Sequence, residues 1–137
     1  MTGKRQEEIL KRFTDRYSLG ASSALNDVEK EAIGAVVGAN GYTTVAQADQ
    51  LIEVLGLEAG TWLLDIGAGR GWPGLYLSKR SRCQAIVTDV PRPAIAAARS
   101  RAEKLGLDSR CYLALVSGSA LPFSDATFDA VVHTDTL

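Results

Sequence analysis

Three glycines in five residues, entered from a short apolar run through an aspartate, narrow what this chain can fold into more than any other stretch. The stretch is Asp65-Ile66-Gly67-Ala68-Gly69-Arg70-Gly71. Glycine takes left-handed backbone angles at little cost, and it leaves no side chain between backbone and ligand. The run before it, Thr61–Ile66, reads as a strand. Trp72-Pro73 after it reads as a helix start, because proline is tolerated in a first turn. A strand, a tight bend and a helix start in that order point unpaired amides and the positive end of a helix dipole at a ligand. Asp89 closes a second apolar run, 89 − 65 = 24 residues beyond Asp65. In an open α/β sheet an acid at that place faces the crevice at the strand ends and can accept both hydroxyl protons of a ribose.

The rest of the chain fits the same plan. Ala85–Thr88, Tyr112–Val116 and Phe128–Val132 are further short apolar runs, of the kind that suits strands buried on both faces of a parallel sheet. Ile95, Ala98, Ala102 and Leu105 recur at helical spacing, and Gly106 ends that pattern. Strand, helix, strand, helix, strand, strand gives a doubly wound parallel α/β sheet. Residues 61–137 carry it, and residues 1–60 read as a helical segment ahead of it. There, Ile9, Phe13 and Tyr17 share one helical face. Leu25, Val28, Ala32 and Val36 form a second stripe, with Asn26 and Glu29 as its cap, and Asn40-Gly41 marks a turn. Thr44-Val45-Ala46-Gln47 fits a capping box, followed by the stripe Val45, Ala48, Leu51, Ile52 and Leu55 and a stop at Gly56.

Composition removes several function classes. Lys+Arg is 15 against 16 Asp+Glu, a net charge of −1. That balance disfavours a nucleic-acid or anionic-membrane binder, since either needs a strongly basic face. No apolar run of ~18 residues is present to span a bilayer, and the polar start Met1–Glu8 is no signal peptide. The expected location is cytoplasmic. Cys83 and Cys111 match no metal-ligand spacing and read as reduced core thiols, so no metal is expected.

With the acid after the second strand, Asp-x-Gly-x-Gly-x-Gly resembles motif I and its partner in the class I S-adenosylmethionine-dependent methyltransferases. The segment from Gly118 to Asp129, Gly-Ser-Ala-Leu-Pro-Phe-Ser-Asp-Ala-Thr-Phe-Asp, resembles the run that closes the adenine pocket in the type 11, small-molecule group. The likeness covers residues 61–137 well and 1–60 loosely. It implies a Rossmann-like sheet of order 3-2-1-4, S-adenosyl-L-methionine as cofactor and a small-molecule methyl acceptor. It implies that Gly67, Ala68, Gly69 and Gly71 wrap the methionine end and ribose. Asp65 would hold the loop and the α-amino group, directly or through water. Asp89 would take the ribose hydroxyls and Val90 would lie against adenine. Ala120 would offer its amide to the ring, and His133 and Thr134 would sit near the methyl group. Ser119 departs from the pattern: relatives often place an acid there, and a neutral acceptor is weaker than an ionised one.

Other readings stay open beside that one. Gly69-Arg70-Gly71-Trp72-Pro73-Gly74 also matches Gly-x-Gly-x-x-Gly, with Asp89 at 89 − 69 = 20 residues on, the spacing of an NAD-binding fingerprint. Asp65 ahead of the glycines, the long helical lead-in and the Leu121–Asp129 run argue against it. Asp125 and Asp129 read as structural acids at the turn into the fourth strand. The sole histidine, His133, is a weak candidate for a catalytic base. Tyr17, Tyr42 and Trp72 are the aromatics expected to face a substrate, with core packing or loop anchoring an equal reading for each. Against relatives of this kind the chain reads as C-terminally truncated, which leaves an inactive cofactor-binding module as the alternative function. Strand four would then be an unpaired edge beside Val131 and Val132, suited to a homodimer or a complementary fragment.

Overall fold

The computed structural model describes residues 3–18, 23–36 and 42–134. Along the chain come α1 (Gly3–Ser18), α2 (Ser23–Ile33), α3 (Val45–Leu55), β1 (Trp62–Ile66), α4 (Gly74–Ser81), β2 (Gln84–Asp89), α5 (Arg92–Lys104), β3 (Cys111–Leu115) and β4 (Ala130–Val132). All four strands run parallel in one sheet ordered β3-β2-β1-β4. The α/β class and the strand order expected from sequence are both found. Leu63 lies opposite Ala85 on one side and Ala130 on the other, and Ala85 lies opposite Cys111. All four are buried, so one row of side chains carries the core across the whole sheet.

The helices over that row form for local reasons. Thr44 and Gln47 make the reciprocal capping box: Gln47 N–H donates to Thr44 Oγ1 at 3.1 Å, and Thr44 N–H donates to Gln47 Oε1 at 2.9 Å. Each bond satisfies a donor that the helix start leaves orphaned. Ala48 is then buried, while Val45, Leu51, Ile52 and Leu55 pack against the core. Gly56 ends the helix in the left-handed conformation. Ala94, Ile95, Ala98 and Ala102 give α5 its inward face, one of small side chains that lets the helix lie close to the sheet. Cys83 and Cys111 are free and buried, and burial pushes both thiols up from their usual value.

Two expectations fail. The stripe Leu25, Val28, Ala32 and Val36 does not face the core; Leu25 and Val28 are 61% and 64% exposed. The helix starts at Ser23, so Asn26 lies inside it and is not its cap. Ile33 decides the roll of α2. It inserts into the core cluster with Ala48, and it brings half-buried Glu29 and Asn26, four and seven residues back, to the same side. Burial on both sheet faces also fails toward the sheet's edges, although Leu64 and Thr88, which point away from the core row on the two central strands, are 2% and 0% exposed. The core residues Leu63, Ala85, Val87, Cys111, Ala130 and Val132 all point to the helix side. On the opposite face Tyr112 and Val131 are about half exposed, and Trp62 stacks on Tyr112 with centroids 6.0 Å apart. The β3–β4 connection that meets this face is a loop, which covers less surface than a helix. It approaches so closely that a Cβ on Gly118 would lie 2.9 Å from Ile66 Cγ2. Ile9 of the first stripe faces solvent. The side chains of Phe13 and Tyr17, and the Asn40-Gly41 turn, lie outside the described residues.

Candidate functional site

The glycine loop leaves β1 at its carboxyl end and runs into α4. Gly67, Gly69 and Gly71 all have positive φ, at 68°, 58° and 100°. An L side chain is strained in that region, so the loop's path requires glycine at these positions. Backbone bonds and two carboxylates pin it. Ala68 N–H donates to Thr88 O on β2, and Trp72 N–H returns to Ala68 O. Gly69 N–H donates to Asp89 Oδ2 at 2.7 Å. Behind the loop, Gly74 N–H donates to Asp65 Oδ2 at 2.7 Å. Both strand-end acids predicted from sequence therefore grip the loop, one from beneath and one from the neighbouring strand.

Their surroundings differ. Asp89 is half-buried, and its other oxygen accepts Val90 N–H at 2.7 Å. Burial raises its pKa, and the amide bonds from Val90 and Gly69 offset part of that rise. Asp65 is wholly buried, and its Oδ1 has no hydrogen-bond partner. Burial lifts its carboxyl well above the usual range, the Gly74 amide pulls the other way, and the Asp89 charge adds to the rise. A buried acceptor without a donor is rare in folded proteins. Here it lies next to a loop built for close backbone approach. That combination fits a ligand bringing a cationic donor and hydroxyl groups, and so fits an S-adenosyl nucleoside.

The other predicted positions are distributed unevenly. Val90 is exposed beside Asp89. Ser119 is exposed and shares a hydrogen bond with Ser117 at 2.8 Å. Ala120 N–H, expected to meet adenine, donates to Ser117 O within a turn, so a ligand would have to compete for it. His133 and Thr134 follow β4 at the carboxyl end of the sheet, with His133 exposed. Of the aromatics, Tyr42 is 88% exposed, whereas Trp72 is 3% exposed. Trp72 stacks at a tilt on Tyr76, its Nε1–H donates to Thr43 O at 3.0 Å, and the Tyr76 hydroxyl reaches Asp49 Oδ1 at 2.7 Å. Trp72 thus joins the loop to α3. Asp129 has the structural role expected, accepting Trp62 N–H at 2.8 Å.

A groove that the sequence did not reveal runs along α3. It encloses about 350 Å³ and is lined by Thr43, Gln47, Gln50, Leu51, Val54 and Thr134. Helical spacing puts Gln47, Gln50 and Val54 on one flank, but a polar helix flank reads as solvated surface until Thr134 is placed opposite it. Among the described residues no group of three or more His, Cys, Asp or Glu could hold a metal ion, and no helix is long and apolar enough to cross a membrane.

A family model described as a methyltransferase domain matches residues 63–137, more than half of the chain. The chain belongs to the class I S-adenosylmethionine-dependent methyltransferases. Among relatives in this family, methyltransferase GfsG of Streptomyces halstedii is 32% identical over 83 residues, covering 61% of this chain and 30% of that protein. The 27-O-demethylrifamycin SV methyltransferase of Amycolatopsis mediterranei is 31% identical over 94 residues, covering 69% and 35%. These matches span about a third of the curated relatives' length. The solved structure of the [4+2]-cyclase SpnF is 28% identical with a TM-score of 0.62, covering 78% of this chain and 42% of that one. A methyltransferase from Thiobacillus denitrificans, solved in complex with S-adenosyl-L-homocysteine, is 22% identical with a TM-score of 0.59, covering 86% and 45%; that likeness speaks for the fold.

Proposed function

We propose that this chain binds S-adenosyl-L-methionine on the glycine loop and takes part in transferring its methyl group to a small-molecule acceptor. The observation that carries the reading is the loop held between Asp65 and Asp89, with one buried Asp65 oxygen unpartnered. Gly67, Ala68, Gly69 and Gly71 present backbone to the methionine end and ribose. Asp89 keeps lone pairs for the ribose hydroxyls while it holds Gly69. Val90 offers an exposed apolar side chain to adenine, and Ser119 and Ala120 lie along the ring's far edge.

The bound cofactor supplies an electrophilic methyl group on a sulfonium. What falls to the protein is to fix that group and bring an acceptor into line. The groove along α3 serves the acceptor in this reading. Thr134 joins it to the end of β4, and the Thr43 carbonyl joins it to Trp72 of the loop. Its described lining is hydroxyl, amide and aliphatic, which suits a neutral, hydroxylated molecule. His133 stands exposed at the same strand end and is the candidate to accept a proton if the acceptor arrives protonated.

Calorimetric titration with S-adenosyl-L-homocysteine and, separately, with NAD tests the cofactor. Binding of the first and not the second is expected, and the reverse would overturn the proposal. A second reading follows from the likeness to SpnF, named as a [4+2]-cyclase: the chain binds the cofactor without transferring its methyl group. Label retained on the cofactor through incubation with neutral hydroxylated acceptors would favour that reading. For assembly we propose pairing along β4, whose far edge has no strand beside it among the described residues, with a second copy or a complementary fragment. Sedimentation of the chain and of Val131→Lys tests the homodimer, which requires the substitution to lower the mass. Buried, reduced cysteines fit a cytoplasmic setting.

A further inference from the structure

We propose that Asp65 stores a proton in the ligand-free protein and releases it to solvent when the cationic amino-acid end of an S-adenosyl ligand settles on the glycine loop. The inference rests on the cofactor reading above and adds a linkage between loading and pH. It starts from geometry. Asp65 is wholly buried. Gly74 N–H occupies Oδ2, and Oδ1 has no donor. Across the sheet its register partners are Val87 on β2 and Val132 on β4, both apolar and buried. α4 contributes the Gly74 amide and no charged side chain at this point. The charge that acts on Asp65 is another carboxylate, Asp89. Arg70 of the loop and Glu29 of α2 act instead on Arg101 of α5.

An ionised carboxylate in these surroundings would have one amide donor, apolar walls and a like charge for company. Burial without a counter-charge disfavours the ionised form, and so does a neighbouring anion. The direction of the Asp65 shift agrees. An ammonium group arriving at the loop reverses both terms, since it supplies opposite charge and hydrogen-bond donors. The O–H bond of Asp65 then breaks, its proton passes to the buffer, and the ligand's ammonium keeps its own protons as it becomes the counter-ion. Asp89, facing uncharged ribose hydroxyls, meets no such cation.

The test is calorimetric titration of the 137-residue chain with S-adenosyl-L-homocysteine in phosphate and in Tris, whose ionisation enthalpies differ widely. In titrations repeated from pH 5 to pH 8, the buffer dependence of the heat should report proton release on binding that approaches one proton per ligand, with affinity rising with pH by up to ~10-fold per unit. Methylthioadenosine, which has the nucleoside without the ammonium, should bind with no buffer dependence. Asp65→Asn should bind S-adenosyl-L-homocysteine with none either. Binding of S-adenosyl-L-homocysteine without proton release would overturn this inference and leave the cofactor reading standing. Equal release with methylthioadenosine would overturn it too, by moving the proton elsewhere. No binding of either ligand would overturn both. The methylthioadenosine comparison needs no variant, so the outcome is decided even if Asp65→Asn does not fold.

Discussion

Gly74 is where the loop, the first strand and α4 meet, and a single methyl group there has calculable consequences. A Cβ at this position would lie 2.7 Å from Asp65 Oδ2, 3.0 Å from Asp65 Cβ and 3.1 Å from Val87 Cγ2. The first of these is a distance that real Cβ atoms do not adopt, and the atoms involved are wholly buried and cannot swing away. Overpacking of this kind costs about 1–3 kcal/mol. Relief by pushing Asp65 aside breaks its bond from Gly74 N–H and leaves both oxygens without donors, about 1–3 kcal/mol more. Alanine's helix preference over glycine returns at most about 1 kcal/mol. Gly74→Ala should therefore cost about 3 kcal/mol, and for a chain this size lower the melting temperature by roughly 10 °C. Urea and thermal unfolding followed by circular dichroism measure it. Gly106→Ala is the comparison, because Gly106 has φ of 68° and nothing within 4 Å of its Cβ position; strain alone should cost it about 1–2 kcal/mol. Asp65→Ala combined with Gly74→Ala should cost less than the sum of the two, since the first removes the atoms the second collides with. A Gly74→Ala protein within ~0.5 kcal/mol of the parent, on the scale of an ordinary surface substitution, would refute the packing argument.

Asp89→Ala removes a carboxylate from the loop and from the proposed ribose contact; affinity for S-adenosyl-L-homocysteine should fall about 10- to 100-fold, from ~1.5–3 kcal/mol for a charge-assisted bond, read by calorimetry after a melt confirms folding. Thr44→Ala breaks the capping box and should cost about 1 kcal/mol in urea unfolding, with no effect on nucleoside affinity. Asp65 binds its proton more tightly folded than unfolded, so its contribution is full below the unfolded carboxylate value near ~3.9 and is lost as pH rises through the folded value. Unfolding at pH 5, 7 and 8.5 should show the parent losing stability against Asp65→Asn as pH rises, and a flat difference would refute the sign. Thr88→Val deletes the buried Oγ1 bond to Asp65 O, 2.9 Å long, and should cost about 1 kcal/mol in the same assay.

What the sequence made legible was governed by contacts close along the chain. The capping box at Thr44 and Gln47 needs two side chains three residues apart and nothing else, and it forms as written. The glycine loop is legible because positive φ is a demand on single residues. The strand order followed from resemblance, and the register rows of Leu63, Ala85, Ala130 and Cys111 bear it out. The roll of α2 was not legible, because Ile33 competes with a fuller apolar stripe and wins through a place in the core cluster with Ala48 that exists only after folding. Trp72 shows the same limit. An aromatic next to a ligand loop reads equally as a ligand contact or as an anchor, and what decides for the anchor is a bond from its indole to Thr43, 29 residues away. The groove along α3 needs Thr134 to be opposite Gln47, a separation of 134 − 47 = 87 residues that no local pattern encodes.

The two acids therefore do different work, although each ends a strand and each accepts an amide from the loop. Asp89 reaches across from β2, so its bond to Gly69 holds only while β1 and β2 keep their register of Asp65 against Val87 and Ile66 against Thr88. Thr88 doubles that dependence, giving its hydroxyl to Asp65 O and taking the Ala68 amide on its carbonyl. Asp65 fixes instead where α4 begins, through Gly74. Loop shape is thus set by a strand pairing and a helix start together, and slippage in either would spoil the proposed nucleoside site without touching the atoms assigned to the ligand. The groove along α3 has no such double restraint. Trp72 and Tyr76 tie the start of α3 and α3 itself to the loop and to α4, and among the described residues Thr134 alone brings the end of β4 to the groove wall. If the groove takes the acceptor as proposed, acceptor preference should accordingly drift under substitution along α3 far more readily than nucleoside affinity does, because the loop proposed for the nucleoside is fixed by the sheet itself.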